Sequence, residues 1–154
     1  MKRGLFIVLV LAMFVLPNVV FAAGTATAVF QRVMVEGNPD RLILTISWTD
    51  DNAGTTYSIV PATYRIEGYY LYSVETNPGA GPPTDNYDIT ILDADGFDVA
   101  GSTLLNRDTT TTELVNIGTA THGYPVIRGT WTFTIAAGTA GASSGTAILT
   151  FTAN

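Results

Sequence analysis

From Arg41 to Thr49 the side chains Leu42, Leu44, Ile46 and Trp48 fall on one side of an extended chain, and Thr45, Ser47 and Thr49 fall on the other. A period of two marks a strand with one buried face and does not suit a helix, whose apolar stripe repeats every 3.6 residues. The same period returns near the C-terminus. Trp131, Phe133 and Ile135 alternate with Thr132 and Thr134, and Ala147, Leu149 and Phe151 alternate with Thr146, Ile148, Thr150 and Thr152. The Gly-Ala-Ser run from Ala136 to Gly145 between them predicts a long C-terminal hairpin. Further strands are predicted at Ala26 to Glu36, Thr56 to Val60, Tyr69 to Val74, Tyr87 to Asp93, Phe97 to Ala100 and Glu113 to Ile117. Threonine recurs on them, where its branched β-carbon suits a pleated surface and its hydroxyl keeps that surface solvated. Beyond residue 22 no stretch of ten residues carries a helical period. About eight short strands with closely spaced turns predict an all-β protein, an antiparallel β-sandwich, with a small β-barrel as the alternative.

The first 22 residues have a different plan. Lys2 and Arg3 precede an apolar run from Gly4 to Leu16, and Val20-Phe21-Ala22 supplies small residues for cleavage after Ala22. This is the pattern of a secretory signal peptide, leaving residues 23–154 as a single β-sandwich domain. The alternative is an uncleaved anchor, with the apolar run extended through Pro17 to Ala23, about the 20 residues a membrane span requires. Cleavage predicts export to the periplasm, the cell surface or the medium, with no stable membrane insertion of the mature chain.

Cysteine is absent from the sequence. Thiol nucleophiles, thiolate metal sites and disulfide staples are therefore excluded, and the fold must be held by its core. Beyond the signal the basic residues are five arginines and no lysine, against thirteen acids. A surface this acidic repels phosphate backbones and anionic lipid, so nucleic acid is not an expected partner.

The acids are densest in Asp85-Asn86-Tyr87-Asp88 and Asp93-Ala94-Asp95-Gly96-Phe97-Asp98. Oxygen donors alternating around a glycine turn suit a hard cation, which makes Asp93, Asp95 and Asp98 the candidate calcium ligands. The competing reading is a tight hairpin turn at Asp95-Gly96 that the aspartates solvate, with Asp93 and Asp95 on one strand face. Tyr70 and Tyr72 would share a strand face, the arrangement that stacks against sugar rings, although such a row more often serves the core. The sole histidine, His122, lies in a loop segment and cannot form a zinc site alone. The run Gly141-Ala142-Ser143-Ser144-Gly145 matches Gly-x-Ser-x-Gly in letters but leads into a strand pattern and not into the helix that a nucleophile elbow requires, and nothing selects a catalytic pair among Glu36, Glu67, Glu75 and Glu113. The chain is expected not to be an enzyme, to have no catalytic residues and to need no cofactor, calcium being the one candidate ion. Arg107 and Asp108 are expected to pair, and the proline-rich loop from Asn77 to Pro83 to form an exposed contact tip.

Three segments carry a resemblance: Gly68-Tyr69-Tyr70-Leu71-Tyr72-Ser73-Val74-Glu75-Thr76-Asn77-Pro78-Gly79, then Pro83 to Val99 with Asp-Asn-Tyr-Asp and Asp-Gly, then Asn106-Arg107-Asp108-Thr109. In this order of strand, proline-rich loop, turn and Thr-rich terminus, the chain from Ile66 to Asn154 resembles small all-β proteins from tailed-bacteriophage and prophage structural gene regions. The resemblance implies a virion-associated structural component that works through binding surfaces. The signal peptide is a departure from it: either the same fold is put to an extracellular use, or the product acts at the cell envelope.

The expected function is thus that of a non-enzymatic structural or interaction protein, exported or virion-associated, with a protein partner or self-association. The Thr-rich stretch from Thr146 to Thr152 is the edge expected to pair with a neighbour. The alternative is a secreted carbohydrate- or calcium-binding sandwich module.

Overall fold

The computed structural model describes residues 24–33, 40–50, 55–83, 86–118, 125–136 and 143–153. The predicted signal peptide, Glu36, Asp85 and His122 lie outside them. Among the described residues eight strands run in order: β1 (Thr25–Val33), β2 (Arg41–Asp50), β3 (Thr55–Ile59), β4 (Tyr70–Pro78), β5 (Asp88–Leu92), β6 (Glu113–Asn116), β7 (Trp131–Ala136) and β8 (Ser143–Thr152). One helical turn, α1 (Pro61–Tyr64), follows β3, with Pro61 at its start and Arg65 in the left-handed region at its end.

The strands form two antiparallel sheets. The larger has the order β1-β2-β8-β4-β6 and the smaller the order β3-β7-β5. They do not close on each other, so the fold is a sandwich and not the barrel kept as an alternative. Alternation decides which residues meet between the sheets. Leu42, Leu44, Ile46 and Trp48 of β2 and Ala147, Leu149 and Phe151 of β8 are buried, facing Ile89 and Ile91 of β5 and Trp131, Phe133 and Ile135 of β7. The Trp131 and Phe151 rings, one from each sheet, meet at 6.4 Å between centroids. Apolar burial of this kind contributes roughly 25 cal/mol per Å² and takes the place of disulfides here.

The predicted C-terminal hairpin is not formed. β7 pairs with β3 and β5, and β8 pairs with β2 and β4, so the connection between them crosses from one sheet to the other. The stretch expected to form an edge is for the same reason the centre of the larger sheet, with both flanks of β8 occupied. Phe97 to Ala100 is likewise not a strand. It makes one bridge, Leu92 to Asp98, and then turns. The loop from Asn77 to Pro83 is exposed at Asn77, Ala80 and Pro82, as expected, but it is tied down: Asn77 and Pro78 end β4, Gly79 N–H donates to Ser144 O at 2.7 Å, Ser144 N–H donates to Gly81 O at 2.7 Å, and Pro83 is buried.

Candidate interaction surface

The acid-rich segment lies along the outer edge of β5, where it takes the place of a further strand. Tyr87 and Arg107 exchange two backbone hydrogen bonds, Ile89 N–H donates to Leu104 O at 3.0 Å, and Val99 N–H donates to Ile91 O at 2.8 Å. These bonds satisfy backbone groups that an uncovered edge would leave to a foreign strand.

Carboxylates hold this segment in shape. Asp93 Oδ1 accepts from the amides of Asp95 and Phe97 at 3.0 and 2.9 Å, while Gly96 takes a positive φ of 83°. Asp98 accepts from Ala100 at 3.1 Å, from Ser102 at 2.8 Å and from Ile91 at 3.4 Å. Asp88 Oδ1 accepts from Asn106 N–H at 2.8 Å, where Asn106 is also left-handed. Asp108 Oδ1 accepts from the Thr110 amide and hydroxyl and from the Thr111 amide, which hold its carboxyl down at about 2. Short side chains that accept from amides two to four residues ahead build such turns.

Arg107 does not pair with Asp108. Its guanidinium reaches Glu113 Oε2 at 3.5 Å and the Leu105 carbonyl at 3.0 Å, and Glu113 also accepts from Asp108 N–H at 2.7 Å. Asp93 and Asp95 do not share a strand face either, because β5 ends at Leu92 and both belong to the turn. Asp93 and Asp98 direct oxygens to their own backbone. Among the described residues no three acidic or histidine side chains converge as a metal-binding group. Glu75 pairs with Leu114 and Glu113 with Thr76, which sends the two carboxylates to opposite faces of the sheet. Glu67 accepts from Gly129 N–H at 3.3 Å.

Tyr70 and Tyr72 are both half-buried, but the strand is irregular between them. The register of β4 against β8 slips by one residue between Leu71 and Ser73, leaving Tyr72 as the extra residue of a bulge. The Arg41 guanidinium lies 5.9 Å from the Tyr72 ring centroid. A shallow depression of about 300 Å³ lies at the far end of β4, lined by Ser47, Asn77, Pro78, Ser144 and Thr146. Seven residues of extended chain separate it from Tyr70, roughly 23 Å. The tyrosines and the depression therefore do not form one sugar-binding cleft.

What the sequence did not single out is a set of exposed apolar side chains. Phe97 is 67% exposed at the β5 turn, Leu114 is 65% exposed on β6, and Val29 is 70% exposed on β1. An aromatic residue directly after Asp-Gly, where a turn would be solvated by polar groups, is the one sequence signal that points to Phe97. No protein-family model matches the chain, and none of the curated proteins compared with it is similar to it.

Proposed function

We propose that this protein is a non-enzymatic structural or interaction component, exported or virion-associated, that makes contacts through apolar side chains held on a rigid sandwich. Phe97 carries the reading. Its ring is largely in water, yet its own N–H and C=O are both engaged, by the Asp93 carboxylate and the Asp93 amide. An exposed aromatic group on an ordered turn loses little conformational freedom on binding, which is the property of an interface anchor. Many of the acids are engaged in holding turns, in keeping with a frame for contacts. The resemblance to phage structural proteins covers this segment and agrees with the reading.

The test is fractionation of cells and released particles that produce the full chain. The wild type is expected to sediment with envelope or particles, with a processed N-terminus at Ala23. Phe97→Asp is expected to move it to the soluble fraction without lowering its melting temperature. A wild-type chain found only in free solution, whatever its partner, would overturn the proposal.

A further inference from the structure

The four strand edges of the sandwich are not equivalent. β5 is covered by the segment after it, β6 is four residues long, and β3 is five. β1 ends the larger sheet with nine residues, Thr-Ala-Thr-Ala-Val-Phe-Gln-Arg-Val, without proline, glycine or acid, and among the described residues its outer edge has no backbone partner. Its inward side chains Ala26, Ala28 and Phe30 are only partly buried against the core. Natural sheets blunt their edges with charge, proline, bulges or covering loops, and among the described residues β1 has none of these except Arg32, which is paired with Asp40.

Charge is divided between the two sides of the sandwich. β1 and β3 lie together on one side and contain no acidic residue, whereas the side of β5 and β6 carries Asp88, Asp93, Asp98, Asp108 and Glu113. Two copies of a chain with net charge −6 repel each other, and β1 brings no acid of its own to such a contact, while Asp40 beside it is paired with Arg32 and Asp50 at the end of β2 is buried.

We infer that β1 is a self-association edge, on which a second copy of this chain adds its own β1 antiparallel across a two-fold axis. The register of fullest overlap centres on Val29, pairing it with the partner's Val29 and pairing Thr27 with the partner's Gln31. The two larger sheets then run on as one ten-stranded sheet. An isologous contact of this kind closes on itself, so the product is a dimer and not a fibre. This inference deepens the structural reading above by naming a second copy as one partner, and it is independent of Phe97.

The test uses the purified full chain in light scattering. The wild type is expected at the mass of a dimer, and Val29→Lys, which sets two ammonium groups against each other at the axis, is expected to weaken association about tenfold or more. An unchanged melt at a concentration where both chains are monomeric shows that the variant is folded. Because the chain has no cysteine, Val29→Cys offers a second readout: mild oxidation is expected to link it as a dimer, while Leu114→Cys on the opposite edge stays largely unlinked. A wild type that remains monomeric at high concentration, or equal linking at both positions, would overturn the inference. Sedimentation with particles that depends on Phe97 would survive either result, so the two proposals fail separately.

Discussion

The indole of Trp48 lies across the bare backbone of Gly145. A β-carbon placed on Gly145 would stand 2.6 Å from Trp48 Cζ2 and 2.8 Å from the Asn77 carbonyl oxygen. Gly145 is paired with both Trp48 and Pro78, so the strand on either side limits how far it can shift. Gly145→Ala is therefore expected to destabilise the fold by about 1–3 kcal/mol, the usual cost of overpacking. The denaturant midpoint of the variant measures it, and a loss below about 0.5 kcal/mol would mean that the indole moves aside freely.

Three buried polar atoms cluster beside that contact. The Trp48 and Tyr87 rings are 5.7 Å apart, and Trp48 Nε1, the Tyr87 hydroxyl and the Thr76 hydroxyl all lack a partner of hydrogen-bond geometry. Burial raises the Tyr87 phenol, with Thr76 nearby as a smaller opposing influence. An unsatisfied buried hydroxyl costs about 1–3 kcal/mol, so removing it recovers free energy provided the shape is kept. Tyr87→Phe is expected to leave the midpoint unchanged or raise it. A loss above about 1 kcal/mol would show that a bound water or a closer Thr76 contact satisfies the group.

Acid should weaken the turn after Arg107. The Asp108 carboxyl, held to about 2 by the Thr110 and Thr111 groups that donate to it, ordinarily titrates at 3.8. A folded-state value below the unfolded one means stabilisation that is complete above about pH 4 and lost as the pH falls towards 2. Asp108→Asn is expected to be less stable than the wild type at neutral pH, with the difference vanishing near pH 2. A gap that is constant with pH would mean the charge has no part in it.

Much of the fold was legible because alternation states which face of a strand is buried. β2, β5 and β7 fall within a residue of where the pattern puts them, and the Trp48 and Phe151 faces are as expected. Alternation is silent on pairing. Trp131 to Ile135 and Ala147 to Phe151 look like two arms of a hairpin because each has one apolar face, but a crossover between sheets buries both faces equally well. Phe97 to Ala100 departs from the expected strand for a related reason: Phe97 and Val99 alternate as in a strand, while Asp98, disfavoured in strands, offers its own backbone turn-forming acceptors. The acid run itself was visible in the sequence. Whether its carboxylates turn outward to a cation or back to their own amides depends on backbone positions that spacing alone does not determine.

The choice between those two roles can be measured at Asp98. Its carboxylate accepts from three amides, those of Ile91, Ala100 and Ser102, and so ties β5 to the turn that covers it. Hydrogen bonds to a charged group are worth about 1.5–3 kcal/mol, reduced where water can replace the acceptor. Asp98→Ala is expected to cost about 1–2 kcal/mol, and Asp98→Asn less, because the amide oxygen still accepts. Both losses should be the same in chelator and in excess calcium, since an acceptor already serving the backbone does not depend on a metal. If Asp98→Ala instead costs nothing in chelator and removes a stabilisation that calcium gives the wild type, the carboxylate is a ligand and its role in the turn is secondary.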